Sequence, residues 1–180
     1  MPFKARKAPQ PLDEGALYQY AVRALARQMR TVAELKRLMS RQVEPGEEGE
    51  TRMAAVVARL VDQHYLDDHA FASNYTRLRQ ENQSFGKRRV QQELTRKGVH
   101  AELVASTLET AYAQVTEEEL ARRYIARKHI ARPEDDKQTA RLIRRLVGAG
   151  FSFAVISGLL KSWKLDLALP EDEASFESNR

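Results

Sequence analysis

The chain has 180 residues, no cysteine and a formal net charge of +5, with a sequence pI near 9.6. Without cysteine there is no disulfide framework and no thiolate metal site. No apolar run approaches the roughly 18 residues of a membrane span. Met1 to Gln10 is short and basic and lacks the apolar core of a secretory signal, so the expectation is a cytoplasmic protein with no membrane association.

Strand signals are scarce, and the apolar spacing is helical almost throughout. Leu17, Tyr20, Ala21, Ala24 and Leu25 fall on one helix face. Thr31-Val-Ala-Glu34 fits a capping box at the next helix start. Glu44 to Glu50 is acidic and broken by Pro45 and Gly46, which predicts a mobile loop. Asp67-Asp68 places negative charge at a helix start, and Phe71, Tyr75 and Leu78 share the face that follows. Gly98 stops another helix. Thr116 to Glu119 fits a second capping box, and Leu120, Tyr124 and Ile125 continue at helical spacing. Gly150 stops a later helix, and Trp163 falls at an apolar position of the last one.

Sliding the chain by 52 residues reveals a repeat. Val90, Leu94, Gly98, Val104 and Leu108 fall on Leu142, Leu146, Gly150, Ile156 and Leu160 without a gap. Val99 and Phe151 follow the two glycines, which suit a left-handed helix stop. A third copy lies upstream, where Leu35 and Met39 precede the 44–50 insertion and Val56 and Leu60 follow it. Each copy has its own preceding helix. The expected fold is all-α: three tandem three-helix repeats in an elongated molecule with room for curvature. The boundaries are a basic extension at 1–12, repeats at 13–66, 67–115 and 116–165, and an acidic tail at 166–180.

Charge is uneven along this frame. From Arg77 to His100 seven bases face two acids, and from Leu120 to Arg145 nine bases face three. Such a body suits an anionic partner, either nucleic acid or an acidic protein groove.

Tyr65-Leu-Asp-Asp68, Phe71-Ala72, Tyr75, Arg77, Arg79, Gly86, Arg89-Val90, Glu93-Leu94 and Lys97-Gly98-Val99 together resemble the central signature of the RecX family. Arg30 to Leu35 resembles that family's first-repeat helix start, and Arg141 to Trp163 is similar to its more variable last repeat. The resemblance covers about residues 15 to 165. The chain departs from it at Ser40 to Val43, where the family has a glycine stop, and at the acidic insertion. The resemblance implies a regulator that binds the RecA–single-stranded DNA filament. It implies inhibition of ATP hydrolysis, strand exchange and the co-protease activity, and so modulation of recombinational DNA repair and the SOS response.

Candidate binding residues come from the middle helices, whose bases lie off the apolar stripe. These are Lys36, Arg37 and Arg41 in the first repeat, Lys87, Arg88 and Arg96 in the second, and Arg141, Arg144 and Arg145 in the third. Arg77 and Arg79, towards the end of a helix, either complement its dipole or extend this basic lining. The lining would meet acidic residues of RecA, DNA phosphate, or both, with weak and sequence-independent DNA affinity. The free protein is expected to be a monomer. The acidic tail is either a solvated end or a competitor for the lining.

His64, His69, His100 and His129 match no metal spacing. No phosphate-binding glycine loop, nucleophile elbow or dinucleotide fingerprint appears, so neither an enzyme nor a cofactor is expected. The alternative is a helix-turn-helix transcriptional regulator. Against it stand the spread of bases over three repeats and the lack of a separate dimerisation domain.

Overall fold

The computed structural model describes residues 10–163. The start of the basic extension and the acidic tail at 166–180 lie outside the described residues. Among those described, every regular element is a helix. They are α1 (Glu14–Arg27), α2 (Val32–Met39), α3 (Glu47–Asp62), α4 (Asp68–Gln83), α5 (Lys87–Arg96), α6 (Ala101–Tyr112), α7 (Glu117–Arg127), α8 (Asp136–Gly148) and α9 (Phe153–Ser162). The chain divides into two compact units. The first runs up to Ala72 and includes Leu94–Leu103; the second comprises Ser73–Glu93 and the chain from Val104 onward.

In the first unit Leu17, Ala21, Leu35, Met39, Val56, Leu60 and Leu66 form the core. Leu35, Met39, Val56 and Leu60 are the repeat positions of the sequence, Leu17 and Ala21 belong to the apolar face of α1, and Tyr20, Ala24 and Leu25 pack against the core from the same helix. The start of α2 is unusually well satisfied. Thr31 accepts from Glu34 N–H at 3.0 Å, and Glu34 accepts from Thr31 N–H at 3.3 Å. Val32 N–H donates to Asp68 at 2.9 Å. Burial pushes the Asp68 carboxyl up, partly offset by that hydrogen bond. Asp67 stays home and accepts from Ala70 N–H at 2.9 Å, opening α4. The two adjacent aspartates therefore serve two different helices.

The acidic segment is not a loop throughout. α3 already begins at Glu47, so Glu47, Glu48 and Glu50 occupy its first turn, where carboxylates favour the helix dipole. Arg52 ties the turn down through Glu44 and Glu48 at 2.8 and 3.0 Å. A Cβ on Gly49 would lie 2.0 Å from Glu44 O. The expected loop shrinks to the few residues before Glu47 because the carboxylates that broke the apolar pattern are good first-turn residues.

In the second unit Leu120, Tyr124, Leu142, Ile143, Leu146, Phe151, Ile156 and Leu160 are buried together. Tyr124 meets Phe151 edge-on at 5.8 Å. Tyr112 donates to Phe85 O at 2.8 Å, and burial pushes its hydroxyl pKa up. Trp163 packs against this core. Leu78 does not follow Phe71 and Tyr75 inward; it is 46% exposed. The second capping box is half formed. Thr116 accepts from Glu119 N–H at 3.2 Å, but the Glu119 carboxylate pairs with Arg123 one turn ahead instead.

Gly98 and Gly150 have φ of +82° and +90°. The next residues, Val99 and Phe151, are buried and donate back to Leu94 O and Leu146 O at 3.2 Å each, which is the Schellman closure. His64 and His129 end α3 and α7 in the same left-handed region, at φ 58° and 49°. A side chain with Cβ is costly there. Replacing His64 with glycine should raise stability by about 0.5–1 kcal/mol in urea unfolding. A loss would mean that the imidazole offsets the backbone cost.

Candidate partner-binding surface

The buried stripes of the middle helices decide where their bases go. Leu35 and Met39 on α2, Val90 and Leu94 on α5, and Leu142 and Leu146 on α8 are all buried. Two positions along the helix from a stripe residue, at about 200°, a side chain points away from the core, and the bases of these helices lie on or beside that outer face. In the first unit Lys36, Arg37, Arg41 and Arg96 are exposed. Arg37 turns back along α2, its Nε donating to Ala33 O at 3.3 Å and its Nη2 to Arg96 O at 3.5 Å. Arg37 and Arg96 are thereby neighbours.

In the second unit Lys87, Arg88, Arg141, Arg144 and Arg145 are exposed. Among the described residues no carboxylate lies within ion-pair distance of these five. Their neighbours in the same unit are engaged. Arg122 and Arg123 pair with Glu118 and Glu119, and Arg127 donates to Glu81 O and Asn82 O at 2.9 and 2.7 Å. Lys87 and Arg88 also occupy the first turn of α5, which holds no acid. Cations at the positive end of a helix are unfavourable by about 0.3–1 kcal/mol. The carbonyl end of α8 faces this turn and offsets part of that cost, since Gly86 N–H donates to Ala149 O at 2.9 Å; the exposed side chains of both bases remain available to an approaching anion.

Arg77 and Arg79 part company. The last turn of α4 holds no base, so neither sits where it would complement the C-terminal dipole, the first of the two roles the sequence left open. Arg77 is exposed and pairs with Glu81 at 2.9 Å. Arg79 is half-buried in a network. Its Nη2 donates to Tyr75 Oη at 2.7 Å, and Tyr75 donates to Glu93 at 2.8 Å. Arg79 Nε lies 2.9 Å from the same carboxylate, as an ion pair without hydrogen-bond alignment. Arg89 Nε donates to the other Glu93 oxygen at 2.8 Å. Two guanidiniums thus share one carboxylate and leave one positive charge. Helical spacing could place Tyr75 and Glu93 on their faces, but it could not show that the two residues meet.

A glycine joint seats α5 on α8. Gly86 N–H donates to Ala149 O at 2.9 Å. A Cβ on Gly86 would lie 2.3 Å from Gly150 O, and one on Gly150 would lie 2.4 Å from Arg89 N. The first unit uses the matching joint: Thr31 Oγ1 donates to Lys97 O at 2.6 Å, and a Cβ on Gly98 would lie 2.4 Å from Ala33 Cβ. In both, the carbonyl end of one middle helix meets the start of the preceding one, so opposite ends of two dipoles face. The joint fixes the first turn of α5, with Lys87 and Arg88, against the end of α8.

The fold is that of an all-helical regulator built on tandem three-helix units. A model of the second three-helix domain of RecX matches residues 67–108. The regulatory protein RecX of Myxococcus xanthus is 31% identical over 173 residues, covering 87% of this chain and 90% of the relative. That of Trichlorobacter lovleyi is 30% identical over 155 residues, covering 84% and 96%. That of Mycolicibacterium vanbaalenii is 30% identical over 155 residues, covering 82% of each. The crystal structure of RecX from Lactobacillus salivarius superposes with a TM-score of 0.60 at 20% identity, covering 84% of this chain and 97% of that one. The chain belongs to the RecX family of regulatory proteins.

Proposed function

We propose that this protein is a non-enzymatic regulator that binds the RecA–single-stranded DNA filament and restrains ATP hydrolysis, strand exchange and co-protease activity. Family membership supports the class of role. The observation that carries the site is the exposed α8 face of Arg141, Arg144 and Arg145, for which the described residues offer no carboxylate partner. Lys87 and Arg88 extend that charge within the same unit, and Lys36, Arg37, Arg41 and Arg96 form its counterpart in the other. The protein acts as a monomer whose three repeats, at 13–66, 67–115 and 116–165, supply separate contacts. A filament presents equivalent sites at intervals, so linked contacts gain from effective concentration. DNA contact is weak and indifferent to sequence, because exposed arginines that read phosphate carry no base information.

The test is DNA-dependent ATP hydrolysis by RecA at substoichiometric regulator. The native chain is expected to lower the rate by more than its molar ratio to RecA. Reversing Arg144 and Arg145 to glutamate should raise the half-inhibitory concentration about tenfold or more, with unchanged helicity. Both residues are exposed, so little core energy is lost. Undiminished inhibition by the reversed variant would remove this surface from the function. Tight preference of the native chain for one duplex sequence would overturn the reading as a whole.

A further inference from the structure

Beside the α8 bases lies a concavity of about 250 Å³. Ile130, Ala131, Pro133 and Leu142 give it apolar walls, and Arg141 and Arg145 flank it one helical turn apart. Among the lining residues the one aromatic ring is the imidazole of His129; Phe, Tyr and Trp contribute nothing to the wall. Its one amide is already used at both ends: Gln138 donates to Asp135 at 3.1 Å and accepts from Glu134 N–H at 3.4 Å. Arg132, in the same connection, donates to Trp163 O. Beside the His129 imidazole, the two flanking guanidiniums are therefore the permanently charged donors of the lining. They are like charges at i and i+4, whose mutual repulsion an anion would relieve.

We infer that this pocket takes an acidic–aliphatic peptide segment of a protein partner, with a carboxylate on Arg141 and Arg145 and the adjoining aliphatic side chain against Ile130, Pro133 and Leu142. Sites for single-stranded nucleic acid combine positive charge with extended aromatic stacking platforms; here the charge is present, but the one aromatic ring in the lining is the His129 imidazole, and Ile130, Ala131, Pro133 and Leu142 make the apolar wall aliphatic. A sugar–phosphate backbone would leave the apolar walls without a match. A leucine beside a glutamate satisfies both, since the planar guanidinium pairs in two-pronged fashion with carboxylate and the walls bury the aliphatic group. The inference rests on the proposed binding surface and names what one part of it recognises.

Two measurements on the full chain test it. In the first, the probes are acetyl-leucyl-glutamyl-leucine amide, its glutamine counterpart and a thymidine pentanucleotide. Each is titrated to about 10 mM, tenfold above the ~1 mM dissociation constant suited to so small a ligand. The glutamate peptide should give saturable NMR shifts at the Nε–H of Arg141 and Arg145 and at the methyls of Ile130 and Leu142. The glutamine peptide should leave them in place. Absence of shifts with the glutamate peptide overturns the inference, as does stronger binding of the pentanucleotide at these same groups.

The second measurement plugs the pocket without changing charge. Ala131 is exposed, so Ala131→Trp should fold, as its circular dichroism and amide spectrum will show. It should abolish the peptide shifts and raise the half-inhibitory concentration in the RecA assay about fivefold or more. Full inhibition by A131W beside lost inhibition by the Arg144/Arg145 reversal overturns the pocket and leaves the basic surface standing. Full inhibition by both variants overturns both.

Discussion

Replacing Gly150 with alanine is expected to destabilise the protein by about 2–5 kcal/mol. Two costs add. At φ +90° a residue with Cβ pays about 1–2 kcal/mol. The new methyl would also lie 2.4 Å from Arg89 N and 2.9 Å from Arg89 Cα. Those are backbone or near-backbone atoms that cannot swing away, so overpacking adds about 1–3 kcal/mol. In a chain of this size the melting temperature should fall by about 5–15 °C. Gly148 is the control two residues away. It lies within α8, and a Cβ there would meet nothing within 4 Å. Gly148→Ala should instead add about 0.5–1 kcal/mol through helix propensity. The contrast separates the joint from any general intolerance of the α8 terminus. Equal effects at the two positions would mean that α5 does not rest on Gly150. Since the joint holds the first turn of α5, Gly150→Ala should also weaken RecA inhibition if Lys87 and Arg88 belong to the contact.

Much of this was legible in the chain because it rests on periodicity. A 52-residue shift aligned Gly98 with Gly150 and predicted the closure at both; of the apolar residues it aligned, Val90, Leu94, Val99, Val104 and Leu108 and their counterparts are buried, whereas Leu103 and Val155 are only partly so. Local chemistry was less decisive where two arrangements satisfy the same groups. Glu119 could reach back to the Thr116 backbone or forward to Arg123, and the forward ion pair formed. Glu47 to Glu50 lacks apolar spacing, yet it makes a sound first helical turn. What the sequence could not show is which distant groups meet. Nothing in the spacing says that Asp68 caps α2 across 36 residues, or that Gly86 lies on Gly150. For the binding surface, periodicity could put the α8 arginines outside but could not find the concavity beside them. Its walls come from Ile130, Ala131 and Pro133, in the connection before α8, where no repeat pattern constrains the chain.

The Glu93 network gives the other large effect. Glu93 is 8% exposed, and its carboxylate joins Tyr75 and Arg79 of α4 to Arg89 of α5. Burial by itself would push its pKa up. The hydrogen bonds from Tyr75 and Arg89, together with the charges of Arg79 and Arg89, outweigh burial and hold it below the ordinary value. Glu93→Gln keeps the shape and removes the charge, leaving two guanidiniums facing each other. Removing one partner of a fully buried pair costs about 3–5 kcal/mol. The arginines here are 29% and 37% exposed, and water relieves part of that, so a loss of about 2–3 kcal/mol is expected at pH 7. A carboxyl with a lowered folded-state pKa contributes fully above its unfolded value, near 4.3. It loses that contribution as pH falls through the folded value. The gap between native and E93Q stability in urea should therefore be widest at neutral pH and shrink as pH falls below about 4. A gap that stays constant to pH 3 would mean that Glu93 acts by packing alone. RecA inhibition at neutral pH and a temperature where both proteins are folded should change little, because Glu93 is inside and the exposed bases of α8 are untouched. A loss comparable with the Arg144/Arg145 reversal would instead make the network part of the contact surface, with the surplus charge on Arg79 and Arg89 presented to the partner.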